Sequence, residues 1–387
     1  MAAVAIAVSF FVMIVAVAVS SGFRHSIREG VAAMTGDIRI APFVSGTDEP
    51  VPIPLHLPSE EALKALPGVR SIEPAVVRAG IVKNGDIVHG VVVKGLPGGV
   101  EIPGQAGNDE NVMAGPDRPS LAVSIPRRLG EITGLGVGDD LVTYFVGEKV
   151  RVRKFHIVAM HRDILEVDDN LLVYADMADL QRLNGWGPEE VSCLEVRLQE
   201  AARSRGNMEK TAMDIGTLFL NGGHPEEDAL WVSSSPQSYP QVFDWLELLD
   251  YNVFIILVLM TVVAGFNMVS GLLIMLLRNI STVGTLKTFG MTDRAIGGLF
   301  VRIGAEAVLK GMLAGNAAAL LFCLIQGTTH LIPLDPANYF VSWVPVHVDI
   351  GGILLADLLA FAAILLLLWL PSLVIARIDP AKTVKAD

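Results

Sequence analysis

The stretch RNISTVGTLKTFGMTDRAIGGLFVR, residues 278–302, decides the fold, because it is a short basic segment caught between two long apolar runs. The run before it covers residues 252–277 and the run after it 303–326. About 20 apolar residues rising ~1.5 Å each cross the ~30 Å hydrocarbon core of a bilayer, so both qualify as membrane spans. Arg278, Lys287, Arg294 and Arg302 predict that the loop between them is cytoplasmic. Inside it, Ile280, Val283, Leu286 and Phe289 recur every third residue as an apolar stripe on a short helix. Gly290 supplies a stop, and Thr292-Asp293 can start the next helix. Such a basic-edged hairpin suits the membrane interface or a groove on a cytosolic partner, and periodicity does not separate the two.

Outward from this loop, the chain has 387 residues, 52% hydrophobic and only 18% charged. The apolar excess falls into four blocks, which predict spans at residues 2–21, 252–277, 303–326 and 350–370. The expected fold is a membrane protein of four transmembrane α-helices, with a large α+β extracytoplasmic domain (residues 22–250) between the first two. Arg377, Lys382 and Lys385 follow the last span, while residues 327–349 contain no Lys or Arg. The positive-inside bias therefore predicts that both termini, including the tail 371–387, are cytoplasmic and that the large domain faces outward. Arg24 and Arg28 count mildly against this. Residues 2–20 also invite comparison with a signal peptide, with Ala16-Val17-Ala18 at a cleavage-like position. They lack a basic leading segment and run too long, which favours a retained span. The chain opens almost inside this helix, so a short cytoplasmic segment is expected ahead of it.

The large domain is acidic. Residues up to Asp250 carry a net charge of −13 and the remainder +1, which argues against nucleic acid as a partner. Cys193 and Cys323 fall in different regions, so neither a disulfide nor a cysteine metal site is expected. Phe23, Ile27, Val31 and Met34 continue the helical spacing beyond span one, and Val242, Trp245 and Leu249 lead into span two. These predict two helical stalks flanking one inserted domain. Within it, strands are expected at residues 37–41, 69–79, 81–83 and 87–94, the last two joined by an Asn84-Gly85-Asp86 turn. Ser59 is the expected N-cap of a short helix, and residues 95–119 read as a loop. A β-rich section follows at 120–125, 141–146, 150–159 and 171–174. After it come a helix at 176–183, a strand at 192–198, a helix at 208–220 and a strand at 230–233.

No catalytic constellation emerges, and the chain is not expected to be an enzyme. His161-Arg162-Asp163 lacks the downstream Asn and the glycine loop of a kinase, Asp168 standing where the Asn would be. Glu166, Asp168 and Asp169 lack calcium-loop spacing. Gly134-Leu135-Gly136-Val137-Gly138-Asp139 has the wrong spacing for a dinucleotide site and reads as a turn. No phosphate loop occurs, so ATP hydrolysis cannot come from these residues. In span three, Gly311 and Gly315 form a GxxxG that admits close helix packing. Glu306 and Lys310, four residues apart, are a candidate intramembrane ion pair, with a proton path as the alternative. Asp357 in span four is costly in lipid and is expected to face the bundle or the outer interface.

The segment RNISTVGTLKTFGMTDRAIGGLFVRIGAEAVLKGMLAG resembles the FtsX/MacB-type (type VII) permeases of ABC transporters, and the tail LPSLVIARIDPAKTVKAD is similar to that family's ending. Gly22-Phe23, Gly68-Val69 before Ser71-Ile72, and residues 125–141 with their GLGVGDDL turn add to it. Order and spacing carry the resemblance, which covers nearly the whole chain and in domain size suits both the LolC/LolE-like lipoprotein-releasing members and the MacB-like members, although the fused ATPase of MacB proper is not in this sequence. It implies an outer domain with a porter-like part and an inserted β subdomain. It also implies that Ile280, Val283, Leu286, Lys287, Phe289 and Gly290 couple the permease to a cytosolic ABC ATPase dimer. ATP and Mg would sit on that partner, with no cofactor on this chain. A second permease copy or a paralogue, a lipoprotein cargo and a periplasmic carrier complete the implied machine, a multi-pass complex of the inner membrane. Phe10, Met13, Val258 and Met260 are the expected cargo-groove residues, by location, between span one and span two of paired subunits. The alternatives are a mechanical permease that drives efflux or activates an envelope enzyme without membrane cargo, and a four-span sensor or adhesion protein with no ATPase.

Overall fold

A computed structural model describes residues 2–43, 50–98, 121–147, 149–161, 171–335, 339 and 341–369. In chain order the elements begin with α1 (Ala2–Thr35), β1 (Ile38–Pro42), β2 (Ile53–Pro54), α2 (Glu60–Ala65), β3 (Val69–Asn84) and β4 (Ile87–Leu96). Next come β5 (Ala122–Pro126), α3 (Arg127–Thr133), β6 (Asp140–Phe145), β7 (Arg151–His161), β8 (Leu171–Asp176) and α4 (Met177–Asn184). The outer part closes with β9 (Glu190–Val191), β10 (Cys193–Leu198), α5 (Arg205–Gly222), α6 (Pro225–Asp228), β11 (Leu230–Ser234) and α7 (Ser235–Ser238). Four helices complete the chain: α8 (Pro240–Arg278), α9 (Ile280–Thr288), α10 (Asp293–Thr329) and α11 (Ile350–Leu367).

The chain divides into two compact units, and it passes between them inside α1, after Ser26, and inside α8, before Trp245. These two crossings are helical. At ~1.5 Å per residue, the 34 residues of α1 extend about 51 Å and the 39 of α8 about 58 Å, well beyond a ~30 Å hydrocarbon core. α1, α8, α10 and α11 are each long and apolar enough to cross a membrane.

The helical unit packs around Ile6, Phe10, Met13, Ala264, Met268, Val308 and Ile364. Glycines set the closest approaches: a Cβ on Gly315 of α10 would lie 2.4 Å from the Ala7 carbonyl of α1. The awkward Arg24 is neutralised in place. It pairs with Asp250 of α8 at 2.5 Å, and Ser20 donates to the same carboxylate at 2.9 Å. Phe23 meets Trp245 edge-on at 5.5 Å. The buried positions at the start of α8 are Val242, Phe243 and Leu246, so the stripe expected from Val242, Trp245 and Leu249 lies rotated by about one residue.

The other unit is built on nine strands in the order β11-β1-β10-β3-β4-β8-β5-β7-β6, with a further pairing of β6 back onto β3. That last pairing, Ile81 with Tyr144 and Val82 with Thr143, closes β3, β4, β8, β5, β7 and β6 into a barrel. β3 belongs to both halves. Its residues 69–75 pair with β10 in the open sheet, and 76–84 pair with β4 in the barrel. The strands expected separately at 69–79 and 81–83 are thus one element. Gly80 permits the closure, since a Cβ there would sit 2.7 Å from Thr143 Cγ2. The Asn84-Gly85-Asp86 turn is present, with Gly85 at φ +59°. Most of residues 95–119, and Arg162, Asp163, Glu166, Asp168 and Asp169, lie outside the described residues. Ser59 precedes α2 without capping it by its side chain. Its hydroxyl instead donates to the buried Glu227 at 2.6 Å.

At the end of α1, Lys94 of β4 is 1% exposed and forms an ion pair with the equally buried Glu195 of β10, at 2.6 Å. Its ammonium also donates to the Ala33 and Met34 carbonyls, at 2.8 and 3.1 Å. Next to it, Asp37 accepts from the Leu198 amide at 2.7 Å and from Arg203 Nε at 3.1 Å, and Arg203 pairs also with Glu29. Burial pushes the Asp37 carboxyl up, against the pull of these donors.

His161 of β7 sits in the barrel beside Ser124 of β5, with Nδ1 and Oγ 2.8 Å apart. Its Nε2 faces the Leu172 carbonyl at 3.1 Å, which can only accept, so Nε2 carries the hydrogen and Ser124 donates to Nδ1. Both side chains are buried, which closes this Ser–His pair to any substrate. Burial pushes the imidazole down to about 4, against an ordinary value near 6.5. The unfolded chain therefore binds this proton first. The stabilisation is complete above about pH 6.5 and declines as pH falls toward about 4. Urea unfolding of the full chain in detergent is expected to lose about 3 kcal/mol across that window through this residue. His161→Gln should flatten that part of the profile. Removing one partner of the buried pair, as in Lys94→Met, is expected to cost about 3–5 kcal/mol, and adding Glu195→Met should recover much of it.

Candidate coupling site

Residues 278–302 fold as a helical hairpin whose second arm is continuous with α10. α9 ends in a Schellman arrangement: the Gly290 amide donates to Lys287 O at 3.0 Å and the Met291 amide to Leu286 O at 3.1 Å. Gly290 takes φ +86°, the left-handed conformation that this motif requires. Thr292 then caps α10, its hydroxyl accepting from the Ala295 amide at 3.3 Å. The end of α9 and the start of α10 follow from residues visible in the sequence, whereas the break between α8 and α9 at Asn279, which makes no side-chain cap, is unexpected from it.

The apolar stripe divides between two tasks. Val283 is 1% exposed and packs with Leu276 of α8 and Ile296 of α10; Leu286, Met291 and Phe300 lean on the same cluster. Lys287 turns inward to pair with Asp293 at 2.8 Å. Val283, Leu286 and Lys287, expected to face a partner, thus brace the hairpin against its own neighbours. Ile280 is half-buried and Gly290 is exposed. Phe289 is 84% exposed at the tip, with Arg278, Arg294 and Arg302 also on the surface. The outcome is a hairpin that presents one aromatic ring at its tip, with exposed arginines elsewhere along residues 278–302. Arg and aromatic residues are the side chains that contribute most at protein interfaces.

The other expected positions are also located. Gly311 and Gly315 are buried on the face of α10 toward α1, and Val4, Ala7, Val8 and Phe11 join them around a cleft of about 350 Å³. The GxxxG therefore serves packing within this chain. Glu306 and Lys310 do pair, at 2.7 Å, but with side chains 64% and 72% exposed they lie on the outer face of α10. Within one chain, the four expected cargo-groove residues do not line a common surface. Phe10 and Met13 are 0% and 1% exposed inside the bundle core, Met260 packs against that core, and only Val258 is open, at 47%. Span one's large side chains are drawn into the bundle because the small residues of α10 leave room for them. Asp357 does face the bundle, hydrogen-bonded to Asn316 of α10. The tail residues 371–387 lie outside the described residues.

Sequence reasoning missed Lys94, Glu195, Asp37 and Arg203. A signal existed in CLEVRL, residues 193–198: a strand between two others buries both faces, so its Glu and Arg need partners.

Residues 254–380 match the family model for the FtsX-like permease C-terminal region. The chain is 25% identical to the lipoprotein-releasing system transmembrane protein LolC of Neisseria meningitidis serogroup B, over 99% of this chain and 92% of that protein. It is 23% identical to the LolE protein of the same description from Haemophilus influenzae, over 99% and 93%. Among solved structures, the periplasmic region of MacB from Actinobacillus actinomycetemcomitans aligns over 54% of this chain and 92% of its own, with TM-score 0.32 and 11% identity. The extracellular domain of the noncanonic ABC-type transporter YknZ from Gram-positive bacteria aligns over 51% and 99%, with TM-score 0.30 and 14% identity.

The packing separates the hairpin residues by stability. Val283→Asp, which buries a charge with no partner, is expected to lower the thermal unfolding midpoint of the detergent-solubilised chain sharply. Phe289→Ala should change stability by less than about 0.5 kcal/mol in the same measurement.

Proposed function

We propose that this chain, an FtsX-like permease over residues 254–380, is the membrane subunit of an ABC transporter that releases lipoproteins from the inner membrane. The observation that carries this reading is end-to-end similarity, over 99% of the chain, to permeases of lipoprotein-releasing systems. A cytosolic ATPase dimer binds ATP and Mg, and a second permease copy or a paralogue completes the membrane part. Both termini and the α9 hairpin face the cytoplasm, and the large domain faces the periplasm, where a carrier receives the cargo.

In this reading Phe289 enters an apolar pocket of the ATPase, and the exposed arginines complement an acidic rim. Closure of the ATPase dimer moves the hairpin as a block, because Val283 and Leu286 bind it to α8 and α10. α8 is unbroken from Arg278 back to Pro240, so displacement at its cytoplasmic end travels along one helix toward β11. Acyl chains of the cargo pass along the exposed apolar face of α8, which carries Phe254, Val258 and Val262. A second reading, in which the permease is a lever without membrane cargo, draws support from the burial of Phe10 and Met13 inside the bundle.

Phe289→Asp is expected to reduce co-purification of the ATPase and permease-stimulated ATP hydrolysis at least about tenfold, with the unfolding midpoint unchanged. Undiminished ATPase capture by this variant would defeat the coupling role. Proteoliposomes carrying the complete complex and an acylated protein separate the two readings. ATP-dependent release of that protein supports lipoprotein export, and ATP turnover with no release supports the lever.

A further inference from the structure

Asp357 of α11 is 7% exposed, and Asn316 of α10 donates from Nδ2 to its Oδ2 at 2.5 Å. The remaining oxygens of the two side chains, Asp357 Oδ1 and Asn316 Oδ1, are both buried and have no hydrogen-bond partner. An ionised carboxylate at this place would face one neutral amide donor and keep a bare anionic oxygen. Among the described residues no cation pairs with it, and Arg294 and Arg302 of α10 are exposed. Residues 2–22 of α1 and 251–277 of α8 contain no Asp, Glu, Lys, Arg or His, and Tyr251 is the titratable group of the latter stretch. On α10, Glu306 and Lys310 pair with each other on the exposed side, and Cys323 lies nearly two turns beyond Asn316. Arg24 is taken by Asp250, and Asp349 caps the start of α11. A buried charge without a counter-charge is relieved by neutralisation.

We propose that Asp357 is a proton-binding site, holding a proton on Oδ1 that is donated to Asn316 Oδ1. The single proton satisfies both orphaned oxygens at once. With the existing Nδ2–H bond to Oδ2 it closes an acid–amide ring, in which each side chain donates once and accepts once. The ring fastens α10 to α11 in a seam otherwise lined by apolar side chains such as Ala319, Ile353 and Ala360. Parting of these helices opens the ring and frees the carboxyl to ionise, so movement of the seam is linked to proton release.

Infrared spectroscopy of the full chain in lipid nanodiscs tests this. At about pH 7 the wild type should show a protonated-carboxyl absorption. Asp357→Asn should lack it, and Asn316→Leu should shift its frequency. Should Asp357→Asn fail to fold, aspartate-selective isotope labelling of the wild type and of Asn316→Leu still assigns the band. Absence of the band at neutral pH overturns the proposal, as does a band indifferent to Asn316→Leu. A dependence on sodium or potassium in place of the proton band, marking a metal cation between the two oxygens, overturns it equally.

Discussion

A buried ammonium fixes the end of the first helix, and the sheet unit is arranged around that constraint. Lys94 has three hydrogens and three kinds of acceptor: the Glu195 carboxylate and the carbonyls of Ala33 and Met34. A cation at a helix C-terminus also meets the negative end of the helix dipole. The chain must leave α1 closely enough to bring these groups together, and Gly36 makes this possible at φ +73°, where a Cβ would come within 2.8 Å of Glu195 Cβ. Asp37, Arg203 and Glu29 add a second tie one residue further on. Sliding α1 against β4 and β10 would strip a charge of its partners in a place water does not reach. Burial therefore gives this joint its stiffness.

The hairpin of residues 278–302 shows the opposite arrangement, one part packed and one part exposed. A uniformly exposed apolar stripe would be sticky and poorly held, and a uniformly buried one would present nothing. The division between Val283, packed on Leu276 and Ile296, and Phe289, out at the tip, meets both demands within seven residues. The Schellman turn at Gly290 sets where the stripe leaves the core.

Much of this was legible in the sequence because it rests on local chemistry. Gly290 and Thr292 act through their own backbone and side chain, so the hairpin's turns could be read directly. The four apolar helices and the strand–turn–strand at Gly85 follow equally from local pattern. Features that depend on distant pairing were not legible. At 3.6 residues per turn, Val283 and the C-cap residue Phe289 point about 120° apart, so a three-residue period drifts around the helix; it does not show that α8 and α10 cover the one and leave the other. The position of Phe10 and Met13 in span one predicts a groove lining between paired subunits, whereas in the chain their side chains pack with Ala264, Met268 and Val308, far away in sequence. Lys94 and Glu195 lie 101 residues apart, and their pairing exists only once the sheet has formed. The closure of β6 onto β3 is of the same kind.

β3 lends half its length to an open sheet and half to a closed barrel. A strand shared in this way leaves no seam at which one module can melt while the other persists. Losing the barrel would unpair residues 76–84 and fray the strand that β10 depends on. The two modules then form a single cooperative block in the sense of native-state hydrogen exchange, with amides at the centre of β3 among the slowest to open. That arrangement spreads any load on the unit over two cores, and neither has to bear it alone.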